Sequence, residues 1–77
     1  MRTVGCTPLG HKVTVEWTKR DGRWGNHVFV YNKGRVPQRI RHASNEAPGM
    51  VAQELVNGKR AYPEIDETNQ ERLGGRG

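Results

Sequence analysis

The chain has 77 residues, with 13 Lys and Arg against 8 Asp and Glu, a single Cys and 32% apolar residues. That length supports one domain with a small core and leaves no room for a cofactor-binding fold. No run of about 18 apolar residues able to cross a bilayer occurs, residues 1–10 lack the apolar middle of a signal peptide, and Cys6 has no intramolecular disulfide partner, so a soluble, cytoplasmic protein is expected.

Residues 1–10 contain Gly5, Pro8 and Gly10 without periodicity and read as a loop or short edge segment. From Lys12 to Lys19 the residues alternate, with Val13, Val15 and Trp17 on one side and Lys12, Thr14, Glu16 and Thr18 on the other. This is the period of a half-buried strand, with Trp17 as the central core aromatic. Asp21-Gly22 tolerates the positive φ of a two-residue hairpin turn, and a second strand follows from Trp24 to Tyr31. Such a turn pairs Arg20 with Arg23. It places Trp17 opposite Asn26, Val15 opposite Val28 and Val13 opposite Val30 on one face, with Glu16 opposite His27, Thr14 opposite Phe29 and Lys12 opposite Tyr31 on the other.

Next, Asn32-Lys33-Gly34 predicts a three-residue loop with Gly34 in the left-handed position. It leads to a third strand, Arg35 to His42, that puts Val36, Gln38 and Ile40 on the valine face, with Val36 beside Val30 and Ile40 beside Asn26. Arg35, Pro37, Arg39 and Arg41 then point the other way. Pro37 has no amide hydrogen, so this strand is an edge or is interrupted there. Ser44 and Asn45 are cap formers, Pro48 suits a first helical turn, Val51 and Leu55 are one helical repeat apart, and Asn57-Gly58 can end a helix. The pattern predicts a helix from Pro48 to Val56 that lays Met50, Val51 and Leu55 on the valines, although Asn57-Gly58 followed by Lys59 to Tyr62 also suits a hairpin. The expected fold is α+β: a three-stranded antiparallel sheet with one short packed helix. It forms a single domain over 1–62, followed by a flexible, disordered C-terminal tail over 63–77.

Charge is uneven. Nine basic and two acidic residues lie between Met1 and Asn45, against four basic and six acidic after it. A concentrated basic segment is the footprint of a surface that meets phosphate or an acidic partner. On the sheet face away from the valines, Lys12, Phe29, Tyr31, Arg35, Arg39 and Arg41 combine cations with aromatic rings, a composition suited to binding DNA or RNA: cations engage phosphates and rings stack on bases. The bland alternative buries Phe29 and Tyr31 in a second minor core and leaves the arginines as solvated charge. A second functional reading is a protein inhibitor or regulator of the kind phages direct at a host complex such as RNA polymerase or a nuclease complex, gripping through the same face or an edge strand.

Three strands followed by a helix, with an arginine-bearing third strand and Gly22-Arg23-Trp24 opening the second, resembles in layout the three-stranded DNA-binding domains of plant transcription factors and phage integrases. The resemblance covers residues 12–57 and implies DNA binding by a sheet, but assigns no individual residue. The same register would align Glu16, His27 and Arg39 as carboxylate, imidazole and guanidinium, the groups of a metal-independent ribonuclease. A cross-strand Glu-His pair on a wet face is more often a minor ion pair, and no enzyme is expected. Cys6, His11, His27 and His42 lack the close pairs of zinc sites, and neither metal, cofactor, small-molecule substrate nor membrane is expected as a partner.

Overall fold

Alternating β-branched and polar residues on either side of Asp21-Gly22 direct the two longest strands. The structure, a computed structural model, describes residues 1–63, so the expected tail, Pro63 apart, lies outside the described residues. Strands β1 (Arg2–Cys6), β2 (Lys12–Arg20), β3 (Arg23–Tyr31) and β4 (Gln38–Ile40) form one antiparallel sheet in the order β1-β2-β3-β4, and α1 spans Pro48–Val56. The fold is therefore small and α+β, with four strands in the sheet instead of the expected three.

The β2–β3 register is the one the turn dictates, from Lys12 opposite Tyr31 to Arg20 opposite Arg23. Asp21 and Gly22 take φ of 54° and 75°, the left-handed pair that matches the twist of a tight hairpin. β1, expected as a loop or edge segment, pairs outside β2, with Arg2 opposite Val15 and Cys6 opposite Lys12. Its ladder slips between Thr3 and Gly5, where Val4 is the extra residue of a bulge and packs on the core.

The third expected strand is corrected in both length and register. After Gly34, at φ 78°, the chain spends Arg35–Pro37 outside the ladder, and β4 begins at the first residue after the proline. Val30 faces Gln38 and Val28 faces Ile40, a shift of two positions that keeps Ile40 on the valine face but leaves Val36 70% exposed instead of in the core. Arg39 consequently lies opposite Phe29, not His27.

The helix reading is the correct one of the two. Pro48 stands in the first turn, although Ala47, with no side-chain cap, occupies the N-cap instead of Ser44 or Asn45. At the other end, the Gly58 amide donates to the Leu55 carbonyl and the Lys59 amide to Glu54, with Gly58 at φ 73°. This is the Schellman closure, which a hairpin at Asn57-Gly58 would not make. α1 packs across β1, β2 and β3 and buries Val51, Ala52 and Leu55 against Val13, Val15, Val28, Val30 and Ile40. Met50 faces solvent, since the turn of the helix brings Ala52 round in its place.

Trp17, expected at the centre of the core, is 64% exposed. A nine-residue helix is about 13 Å long whereas nine-residue strands run about 30 Å. Ladder contacts run out at the same level: β1 reaches only Val15 of β2, and β4 only Val28 of β3. Residues 16–27 thus project as a two-stranded ribbon past the helix and both edge strands. The expected outcome is that Leu55→Ala costs about 2–5 kcal/mol of stability, as core truncations do. Trp17→Ala is expected to cost less than about 1 kcal/mol, as surface changes do; urea denaturation of the two variants checks both values.

Candidate nucleic-acid interface

The sheet face away from the helix is where sequence alternation places the cations, and the structure draws much of it inward. Phe29 is only 2% exposed and Thr14, opposite it, is fully buried, although α1 lies on the other face of the sheet. Their cover comes from the ribbon tip. Arg20 lies six positions along the hairpin from the Thr14–Phe29 pair, about 20 Å in a flat sheet. Its guanidinium nonetheless sits 5.1 Å from the centre of the Phe29 ring, and Asp21 at the turn forms an ion pair with Arg39, the residue opposite Phe29. The ribbon therefore curls over the open face and closes it with its own tip. Gly25, which lacks a side chain on the inner side of this bend, suits a strand that must curve.

The inner side carries a hydrogen-bonded network. The Tyr31 hydroxyl donates to the Glu16 carboxylate, as does the Thr14 hydroxyl at 2.8 Å. That bond to Glu16, followed by burial, raises the tyrosine pKa above its ordinary value. Lys12 extends its ammonium over the Tyr31 ring at 5.1 Å, and His27 bonds Thr18 at 2.8 Å. Among the expected site residues, then, Phe29 is packed away from any ligand, Tyr31 is half-buried with its hydroxyl engaged, and Lys12 is exposed but lies across that ring. Arg35 is half-buried in the loop before β4, Arg39 is tied to Asp21, and Arg41 is exposed. Of the expected alignment of Glu16, His27 and Arg39, the first two stand opposite one another but bond different neighbours, and Arg39 sits two residues from the position that alignment needs.

The outer side of the curl is different. Trp17 and Trp24 both point there, each 64% exposed, with ring centres 6.4 Å apart and planes within 19° of parallel. Trp17 also borders a shallow groove with Met1, Arg2 and the first turn of α1. Trp24 borders a second depression, between the ribbon edge and the chain leaving β4, lined by Arg20, Arg23, Arg39, Arg41, His27 and His42, with Asp21 as the acidic residue on its wall. Exposed Arg23 and Arg41 have no ion pair among the described residues. No protein-family model, curated protein or solved structure matches the chain.

One wall of this cleft is held by Arg60. Its guanidinium donates to Glu46 at 3.2 Å and Glu54 at 3.1 Å, and also to the Arg41 carbonyl at 3.4 Å, binding the chain after β4 to the helix. Glu46 in turn accepts from the Ala43 amide at 2.9 Å. These bonds, from Arg60 first and Ala43 second, lower the Glu46 pKa below the usual carboxylate value. Sequence reasoning placed Arg39 and Arg41 near this site, and Trp24 beside the turn as either a cap on the core edge or a surface hot spot, but missed Arg20, Arg23 and Trp17. The signal available was the disparity in length between hairpin and helix, which leaves the tip of the hairpin uncovered.

A carboxylate with a lowered folded-state pKa stabilises the fold above its ordinary value of 4.5, and that contribution disappears as pH falls through the lowered value. Glu46→Gln is therefore expected to lower the melting temperature at pH 7 and to approach the parent protein as the pH falls through the lowered Glu46 pKa, as read by circular dichroism. In the same assay Phe29→Ala is expected to cost about 3–5 kcal/mol, the range for a buried aromatic, and Arg41→Ala less than about 0.5 kcal/mol.

Proposed function

We propose that this chain is a small, non-enzymatic regulatory protein that binds nucleic acid through the outer side of its curled hairpin and the arginine cleft beside it. The observation that carries the reading is the junction at Trp24, where an exposed pair of indoles meets a depression lined by Arg20, Arg23, Arg39 and Arg41. Guanidinium groups suit phosphate because their planar donors match its oxygens, and each neutralised phosphate releases counterions to solvent. A projecting two-stranded ribbon is also slender enough to approach the groove of a duplex. The interface so assembled differs from the one expected on Phe29 and Tyr31, whose rings serve the fold; of the arginines expected there, Arg39 and Arg41 remain in it.

A second reading, a regulator that grips a protein complex, is favoured by one feature. β4 covers β3 only from Val28 to Val30, so the β3 edge over residues 23–27 has no strand partner among the described residues. An extended segment of another protein could add there as a further strand.

Fluorescence anisotropy with labelled DNA and RNA oligomers across a salt series separates the two readings. Nucleic-acid binding predicts micromolar affinity at low salt that falls linearly on a logarithmic salt scale. Arg23→Ala and Arg41→Ala are each expected to weaken binding across all sequences and to reduce that slope by about one. Absence of binding at the lowest salt would refute the first reading, and a stoichiometric protein partner captured after nuclease treatment would then support the second.

A further inference from the structure

Trp17 and Trp24 remain unexplained by the fold. They add little to the core, α1 leaves both largely uncovered, and they present two indoles in near-parallel orientation on the convex side of the ribbon. Two large rings left 64% exposed, in a chain whose aromatic residues are only 6% of its composition, form an apolar surface that water covers poorly. Their surroundings narrow the occupant. Lys19 shares the outer side of the ribbon, facing Trp24 across the ladder. Arg2 lies in the groove beside Trp17, and the four arginines of the cleft begin where Trp24 ends. A ligand that fits must therefore offer flat, stackable faces at intervals along a strand of negative charge.

We infer that the Trp17–Trp24 pair is a stacking platform for unpaired bases, and that the preferred ligand is single-stranded nucleic acid whose backbone runs into the arginine cleft. This rests on the nucleic-acid reading above and specifies its substrate class. In a duplex the base faces are stacked on one another, so rings of this kind reach them only by wedging the helix open, at an unstacking cost. In a single strand the faces are free, and stacking on an indole adds to the electrostatic attraction without selecting a sequence, since every base has such a face. The geometry also separates the two contributions. Indoles stand on the outer side of the ribbon and guanidiniums along its edge, so bases and phosphates of one strand meet different residues.

The test compares three probes on the full chain: a single-stranded oligonucleotide, an oligomer of equal length whose nucleotides are abasic, and a duplex of the same sequence. The duplex carries twice the charge, so electrostatics alone would rank it first. The platform predicts instead that the base-bearing single strand binds tightest, on the order of tenfold tighter than the abasic oligomer. It also predicts that tryptophan fluorescence is quenched only by probes with accessible bases.

Trp17→Ala and Trp24→Ala should each reduce the preference for bases, and the double variant should bind all single strands like the abasic probe. Because the chain has two tryptophans, Trp24→Phe keeps an aromatic surface while leaving Trp17 as the sole reporter. That variant should retain most of the preference, which distinguishes lost stacking from lost folding. Equal affinity for base-bearing and abasic strands, or a duplex that binds tightest, would overturn the platform while leaving the arginine cleft as a phosphate site. Failure of all three probes at the lowest salt would overturn both.

Discussion

A helix of nine residues cannot roof a hairpin whose strands are more than twice as long, and the shape of this protein follows from that mismatch. Where α1 lies, the valines of β2 and β3 are sealed with Val51, Ala52 and Leu55. Beyond it, among the described residues, the hairpin has neither a helix above it nor a strand beside it. An isolated two-stranded ribbon is marginal in water. The ribbon finds its contacts by curling onto the other face of its own sheet, where Arg20 covers Phe29 and Asp21 holds Arg39. One short helix thus produces two small cores on opposite sides of one sheet, and it is the curl joining them that turns the tryptophans outward.

The distribution of cations follows the same geometry. Formal net charge is +5, but individual basic residues do different work. Lys12 and Arg20 lie on aromatic faces, where a cation is attracted to the ring and its apolar stem also packs. Arg60 joins the helix to the chain after β4 through two carboxylates and a carbonyl. Arg23 and Arg41 are left facing solvent at the cleft, so a segment that looks uniformly basic in the sequence becomes a surface with a few outward charges. Structural use of some arginines and display of others is what sequence composition cannot separate, since both leave the same letters.

Much of the frame was legible because its determinants are local. A two-residue turn whose φ values only a few residues tolerate, flanked by period-two alternation, leaves a single register for β2 and β3. Pro48 and Gly58 likewise mark the two ends of α1. What was illegible depended on neighbours distant in the chain. The bulge at Val4 breaks the alternation by which β1 would have been seen. The loop before β4 runs through Pro37, so counting from Gly34 found the right face for Ile40 and the wrong partner. For Trp17 and Phe29, alternation assigned sides correctly but could not say which side would be covered: the one with the helix only halfway along, the other by an arginine from the turn.

The strand order β1-β2-β3-β4 means that every ladder joins consecutive segments of chain, and only short loops need to close as the sheet assembles. Against that local pattern stand distant ties: α1 packs back on β1, and the Tyr62 hydroxyl meets the Thr7 hydroxyl at 3.1 Å and the His11 ring at 2.6 Å, across 55 and 51 positions of sequence. Tyr62 therefore acts as the clasp of a molecule otherwise stitched together from neighbour to neighbour. Local opening at this clasp would free Tyr62 from Thr7 and His11 while leaving the Arg60 bonds, the hairpin and its register intact.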